Sequence, residues 1–97
     1  MQSATLDNGR SSARFKIAKP TATMVLQITP VEKSGDNAVI FKVYFGAAVK
    51  PAQSIALFPP DQPGRFILSV PADATTIRIE AVGETKKPLP RFGLRLE

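Results

Sequence analysis

The segment AVIFKVYFG, residues 38–46, is the most apolar run in the chain and decides the fold class. Its large apolar side chains recur at every second position, which is the period of a β-strand with one buried face. An α-helix would instead place apolar residues three and four positions apart. The predicted inner face carries Val39, Phe41, Val43 and Phe45, and the outer face carries Ile40, Lys42 and Tyr44.

The same two-residue period recurs in six further segments along the chain. Turn-forming residues separate the segments, and no segment keeps a helical apolar spacing over the length of an average helix. The six segments are ARFKIAK (13–19), TATMVLQIT (21–29), QSIALF (53–58), GRFILSV (64–70), TTIRIEAVG (75–83) and RFGLRLE (91–97).

This pattern predicts an all-β fold, an about seven-stranded antiparallel immunoglobulin-like β-sandwich. The rival is a small barrel of the OB or SH3 type, although seven strands are more than either barrel usually needs. We expect residues 13–97 to form a single sandwich domain and the polar residues 1–12 to form a flexible leader. Because the chain has no cysteine, packing must hold this core together without disulfides.

The segment TTIRIEAVGETKK, residues 75–87, resembles the penultimate strand of a fibronectin type III domain, where alternating residues lead into an Ala-Val pair and a polar loop. Such a domain has a core tryptophan in its second strand, and this chain contains none. Threonines stand at 75 and 76, near the place of that family's corner tyrosine. The resemblance therefore implies the sandwich architecture that immunoglobulin, fibronectin and many bacterial modules share, and fold alone does not convey function.

The proline-rich segment FPPDQPGRF, residues 58–66, has two interpretations. Pro60 and Pro63 have the spacing of a PxxP ligand for an aromatic groove, with Arg65 just beyond. However, Phe58 and Phe66 end apolar strand segments, and the Pro-Gly pair between them forms turns readily. We therefore interpret the segment as a rigid connection between strands.

The composition excludes most catalytic chemistry, and we expect no enzymatic activity. The chain has no histidine, the usual base that activates a serine or cysteine nucleophile, and no motif pairs Ser54 or Ser69 with a lysine. A pair of acids facing across a cleft would be needed for glycoside hydrolysis. The acids that we considered are mostly single loop residues, namely Glu32, Asp36, Asp61, Asp73, Glu80 and Glu84.

The sequence also predicts no metal site and no cofactor. Without cysteine and histidine, a structural zinc site of the usual kind is not available. Asp36 with Asn37, or Asp61 with Asp73, would supply only a few of the six to eight oxygens that calcium prefers. The glycines are isolated, so no phosphate-binding glycine-rich loop is present.

Basic residues outnumber acidic residues by 13 to 8 and concentrate near the two ends of the chain. In an immunoglobulin-like order the third, sixth and seventh predicted strands share a sheet, and the first often runs along its edge. The outer face of that sheet would then carry a basic strip with one tyrosine. The predicted strip consists of Arg14, Lys16, Lys42, Tyr44, Arg78, Arg91 and Arg95.

Two interpretations of this strip stay open. In the first, the strip contacts an acidic partner, which is either a protein surface or an anionic glycan. In the second, its charges only keep the sheet soluble and discourage edge-to-edge pairing. Nucleic acid is disfavoured, because single-strand binders expose several aromatic residues for base stacking and only Tyr44 is placed to stack.

From these observations we expect a non-catalytic interaction or spacer module, carried by a larger extracytoplasmic or cell-surface protein and monomeric as an isolated domain. No apolar run is long enough to cross a membrane. The alternative is an accessory binding domain that directs an enzyme to an anionic or carbohydrate ligand. A free-standing cytoplasmic nucleic-acid binder is suggested only by the net charge.

Overall fold

The computed structural model describes residues 2–17, 22–31, 38–57, 63–83 and 89–97. These residues form eight β-strands and contain no helix, so none of their segments offers a helix able to span a membrane. The strands are β1 (Gln2–Leu6), β2 (Ser12–Lys16), β3 (Thr23–Pro30), β4 (Val39–Phe45), β5 (Gln53–Leu57), β6 (Gly64–Ser69), β7 (Thr76–Gly83) and β8 (Phe92–Leu96).

The strands pair in two antiparallel sheets of four. The first sheet has the order β1-β8-β3-β6, and the second has the order β2-β7-β4-β5. Four of the pairs are nested inside one another along the chain: β4 with β5, β3 with β6, β2 with β7 and β1 with β8. These four pairs are those of one long hairpin that is folded into two layers. The pairs β3–β8 and β4–β7 join the nested pairs into the two sheets. The resulting strand order is that of a jelly roll.

The expected all-β antiparallel sandwich is confirmed, with eight strands where about seven were predicted. The strand order corrects one expectation. As predicted, β4 and β7 share a sheet and β2 runs along its edge; the structure makes β7 the neighbour of both. The last strand, however, pairs with β1 and β3 in the other sheet.

The expectation of a flexible leader over residues 1–12 is corrected at residues 2–6, which form β1. This strand pairs along its whole length with β8, and the side chain of Leu6 is fully buried in the core. Only Ala4 and Leu6 are apolar in β1, so the alternation of the strand is hidden in a polar composition. The added strand gives β8 a second partner in the first sheet, beside β3.

The core lies between the two sheets and is built from the inward residues of all eight strands. Within the described residues, no polar or charged side chain is buried in it. The rings of Phe41 on β4 and Phe92 on β8 meet edge to face, with centroids 5.1 Å apart and planes at 85°. Since these strands belong to different sheets, this aromatic pair joins the two layers.

One corner of the sandwich is made where β1 and β2 separate into different sheets. The connecting turn is closed by two backbone bonds between Asp7 and Arg10, of 2.9 and 3.2 Å. The Asp7 carboxylate also accepts hydrogen bonds from the backbone N–H groups of Gly9 and Arg10, both at 2.9 Å. This short polar turn lets the two strands leave in different layers.

The turn that follows β4 depends on Gly46, whose φ is +62°. Ala48 N donates to Phe45 O at 3.3 Å, so Gly46 is the first central residue of the turn, as in type II′. We expect Gly46→Ala to destabilise the fold by about 1–2 kcal/mol, because an L-residue is strained in this left-handed region. A Cβ there would meet no atom within 4 Å, so the cost is conformational and not steric.

The measurement is the free energy of unfolding from urea denaturation, with Gly93→Ala as the matched control. Gly93 has no positive φ, and an added Cβ would meet only Thr29 O, at 3.7 Å. Removing this glycine should leave the stability nearly unchanged or raise it slightly. Equal losses in the two variants would contradict the turn assignment.

Residues 58–62 of the proline-rich segment lie outside the described residues, and so do Asp36 and Asn37, which were considered above as calcium ligands. Of that segment the structure describes its end, where Pro63 is exposed just before β6. The prediction of a rigid connection therefore stays a prediction.

Candidate functional site

The outer face of the second sheet collects most of the predicted basic residues. Arg14 and Lys16 come from β2, Arg78 from β7, and Lys42 with Tyr44 from β4. Their side chains share one face because the inward positions between them are taken by core residues. We call these five residues the cationic face.

A row of three side chains crosses the centre of the cationic face. Arg14 lies opposite Arg78, and Arg78 lies opposite Tyr44 on its other side. Ile17 N donates to Thr75 O at 2.8 Å, so the hydrogen-bonded pairs of β2 and β7 fall on the odd residues of β2. Arg14 and Arg78 are therefore a non-hydrogen-bonded pair, in which facing side chains come closest. Two guanidinium groups at this position repel each other.

Tyr44 is covered, although it points outwards. The Cζ atom of Arg78 lies 4.3 Å from the centroid of the tyrosine ring, which is a cation–π contact. Only 7% of Tyr44 is exposed. This placement corrects the expectation that Tyr44 is available for stacking, and the contact holds the guanidinium of Arg78 over a fixed platform.

The next row contains the one acidic side chain of this face. Glu80 lies between Ser12 on β2 and Lys42 on β4, and Lys42 in turn lies opposite Ser54 on β5. On the strands of the second sheet, the outer face thus carries four cationic side chains and one carboxylate. Its charge is strongly positive.

Lys16 is held at the rim of the face by Gln2, which lies in the segment predicted to be a leader. The side-chain amide of Gln2 donates to the backbone oxygen of Lys16 and accepts from its N–H, the latter at 3.1 Å. The amide thereby pairs with a free edge position of β2 as a neighbouring strand would. Nothing in the local pattern signals this contact, because it depends on how β1 and β2 separate.

Arg91 and Arg95 do not join the cationic face, which corrects the predicted strip. Arg95 lies on the outer face of the first sheet, opposite Ser3 and Gln27, and its Nε is 3.9 Å from a carboxylate oxygen of Glu97. Arg91 precedes β8, and its backbone oxygen accepts a hydrogen bond from Val31 N at 2.9 Å. Arg95 lies on β8 and Arg91 lies just before it, and β8 pairs in the first sheet. The cationic face therefore contains five of the seven predicted residues.

A shallow cleft lies at one end of the sandwich, between the turn after β4 and the connection before β7. Its volume is about 230 Å³, and Asp73 is the one ionisable residue in its lining. Within the described residues, no cluster of three or more acidic, histidine or cysteine side chains is arranged to hold a metal ion. The lining residues are Phe45, Gly46, Ala47, Pro71, Asp73 and Ala74.

No protein-family model matches the chain, and a search of curated proteins finds no match either. The geometry and charge of the cationic face are therefore the evidence for its function.

Proposed function

We propose that this domain is a non-catalytic β-sandwich interaction module that binds an acidic protein surface through its cationic face. The observation that carries the proposal is the grouping of four cationic side chains around a single carboxylate on one sheet. We also propose that the module is one domain of a larger extracytoplasmic or cell-surface protein.

The arrangement of the face suits recognition by charge. The cations come from three adjacent strands of a sheet, so their backbone positions are fixed before a partner arrives. Preorganised groups lose little conformational entropy on binding. A positive patch also attracts an acidic partner over distance and raises the association rate, more strongly at low salt.

The facing pair Arg14 and Arg78 supplies a specific reason for an anion to bind. Two guanidinium groups that repel each other are stabilised when a carboxylate lies between them and accepts hydrogen bonds from both. Because Arg78 is stacked on Tyr44, its guanidinium is already positioned. The covered ring favours charge over aromatic stacking as the binding mode, which argues against a base-stacking nucleic-acid binder.

The pairing of the first strand with the last favours an interaction module over a spacer. Gln2 pairs with Leu96, so β1 begins beside the end of β8. Polypeptide entering β1 and polypeptide leaving β8 would therefore meet the domain at the same place. A spacer separates its neighbours by its own length, and this geometry would not use the longest dimension of the domain, 38 Å.

An anionic glycan is the second candidate partner, and an accessory domain of an enzyme is the matching role. The observation in its favour is that Arg14 and Lys16 are successive outward residues of the edge strand β2. A linear polyanion can follow such an edge, with charges about 7 Å apart at two residues of strand rise.

The test compares Arg14→Glu with the wild-type chain in calorimetric titrations with a polyglutamate peptide, heparin and a single-stranded oligonucleotide. The substitution removes one attraction of about 0.2–1 kcal/mol and adds a repulsion of similar size. We therefore expect binding of polyglutamate to weaken about two- to thirty-fold at low salt. Amide signals of Lys42 and Arg78 should shift during the titration of the wild-type protein.

Arg65→Glu is the matched control, because it makes the same charge change on the outer face of the first sheet. This variant should retain the wild-type affinity apart from a small net-charge effect. Binding of heparin without polyglutamate would select the glycan alternative. If no probe shifts the amide signals of the cationic face, the charges serve solubility only and the proposal is wrong.

A further inference from the structure

A second surface of the domain is the outer edge of β6, a strand that pairs within the described part of the chain only with β3. Val70 N donates to Ala22 O at 2.9 Å, in the same register as the β3–β6 ladder. The even residues of β6 therefore bond to β3. The backbone N–H and C=O groups of the odd residues, Arg65, Ile67 and Ser69, point away from the sheet.

The exposed side chains of this edge are arranged symmetrically about Ile67. Arg65 and Ser69 stand two residues to either side, and Pro63 and Pro71 stand four residues to either side. Proline has no N–H to donate, so a further strand can pair with this edge only between the two prolines. The part of the edge that can pair is thus short, and a proline limits it at the same distance on either side of Ile67.

We propose that β6 pairs antiparallel with β6 of a second copy of this chain, with the two-fold axis at Ile67. In this register Ile67 faces its own counterpart, and Arg65 faces Ser69 of the second copy. Each facing pair exchanges two backbone hydrogen bonds, as in any antiparallel ladder. Such a contact is self-complementary, as a two-fold interface requires.

The side chains support a second copy as the occupant. Ile67 is 69% exposed and lies beside Val25 on β3, so it offers an apolar contact at the centre of the interface. The counterpart isoleucine would cover it, and facing β-branched residues stabilise a pair of strands. No like charges face each other in this register, since Arg65 meets a serine.

The pairing would be weak and concentration-dependent. One strand edge buries less surface than a stable protein–protein interface, which needs roughly 1,200–2,000 Å². We therefore expect monomers in dilute solution, in agreement with the monomeric isolated domain predicted from the sequence, and dimers at high concentration. The pairing does not depend on the anion-binding proposal.

The dimer affects the proposed anion binding, because its two-fold axis runs perpendicular to the sheet that the two copies form together. Both copies then present their first sheets on one side and their cationic faces on the other. Two cationic faces on the same side can hold one polyanionic partner together, and linked sites bind more strongly than single sites.

The test is sedimentation equilibrium of the full chain from about 10 µM to 1 mM, a range typical of weak association. The average mass of the wild type should rise toward that of two chains. Ile67→Lys should remain monomeric throughout, because it places two ammonium groups opposite each other. Val49→Lys is the control and should dimerise like the wild type, since Val49 is 90% exposed in the turn before β5.

A measurement on the unmodified protein locates the interface. Amide signals of Arg65, Ile67 and Ser69 should shift with protein concentration, while those of Phe66 and Leu68 should move little. A mass that stays at one chain up to 1 mM would overturn the proposal. So would a dimer that survives Ile67→Lys, or concentration-dependent shifts confined to β5, the outer strand of the other sheet.

Discussion

Replacing Phe41 with alanine is expected to lower the free energy of unfolding by about 3–5 kcal/mol. Phe41 is fully buried, and its ring meets Phe92 edge to face across the two sheets. The substitution removes a large apolar surface from the core and leaves a cavity that strands on both sides cannot easily fill. Domains of this size are stable by only about 5–15 kcal/mol, so the loss is a large share of the total.

Urea denaturation followed by far-ultraviolet circular dichroism measures this effect. Lys42→Ala, at the next position of the same strand, is the control, because its side chain points to the outer face. A double-mutant cycle with Phe41→Leu and Phe92→Leu isolates the contact between the rings. We expect a coupling of about 0.5–1.5 kcal/mol from it. A loss below about 1 kcal/mol in Phe41→Ala would show that the layers do not meet at this pair.

Leu6→Ala is expected to cost about 2–5 kcal/mol, although Leu6 lies in a polar segment near the start of the chain. The side chain is fully buried at the end of β1, where its cross-strand partner is Phe92. Truncation to alanine removes three carbons from this contact. It also weakens the attachment of β1 to β8.

The matched control is Thr5→Ala, one residue earlier in the same strand and exposed. A surface substitution of this kind usually changes stability by less than about 0.5 kcal/mol. The difference between the two variants therefore reports the burial of Leu6 alone. If both variants unfold at the same urea concentration as the wild type, residues 2–6 behave as the flexible leader that their composition predicts.

The strand positions of the core could be predicted from the sequence because their signal is local. Phe41, Ile79 and Leu94 each stand in a run where apolar and polar residues alternate, and all three are buried. The first strand escaped prediction because it contains only two apolar residues, Ala4 and Leu6, among polar neighbours. Two apolar positions are too few to establish a period.

The cationic face was predicted only in part, because alternation tells which side of a strand is outward but not which sheet the strand joins. Arg14 and Arg78 were placed together correctly, since β2 pairs with β7. Arg95 was misplaced, because pairing of β8 with β1 and β3 is a long-range choice that no local pattern records. The covering of Tyr44 by Arg78 depends on the register between β4 and β7, which is equally invisible in the sequence.

The nested order of strand pairs determines which route to the native state is least costly in chain entropy. β4 and β5 close the shortest loop, while β1 and β8 lie at opposite ends of the chain. The entropy lost on closing a loop grows with its length, so contacts between distant residues form most easily after nearer ones have drawn them together. Assembly from the central hairpin outwards replaces one very long closure with a series of short ones. We therefore expect β1 and β8 to join last, so that the core is sealed from water only when these two strands pair.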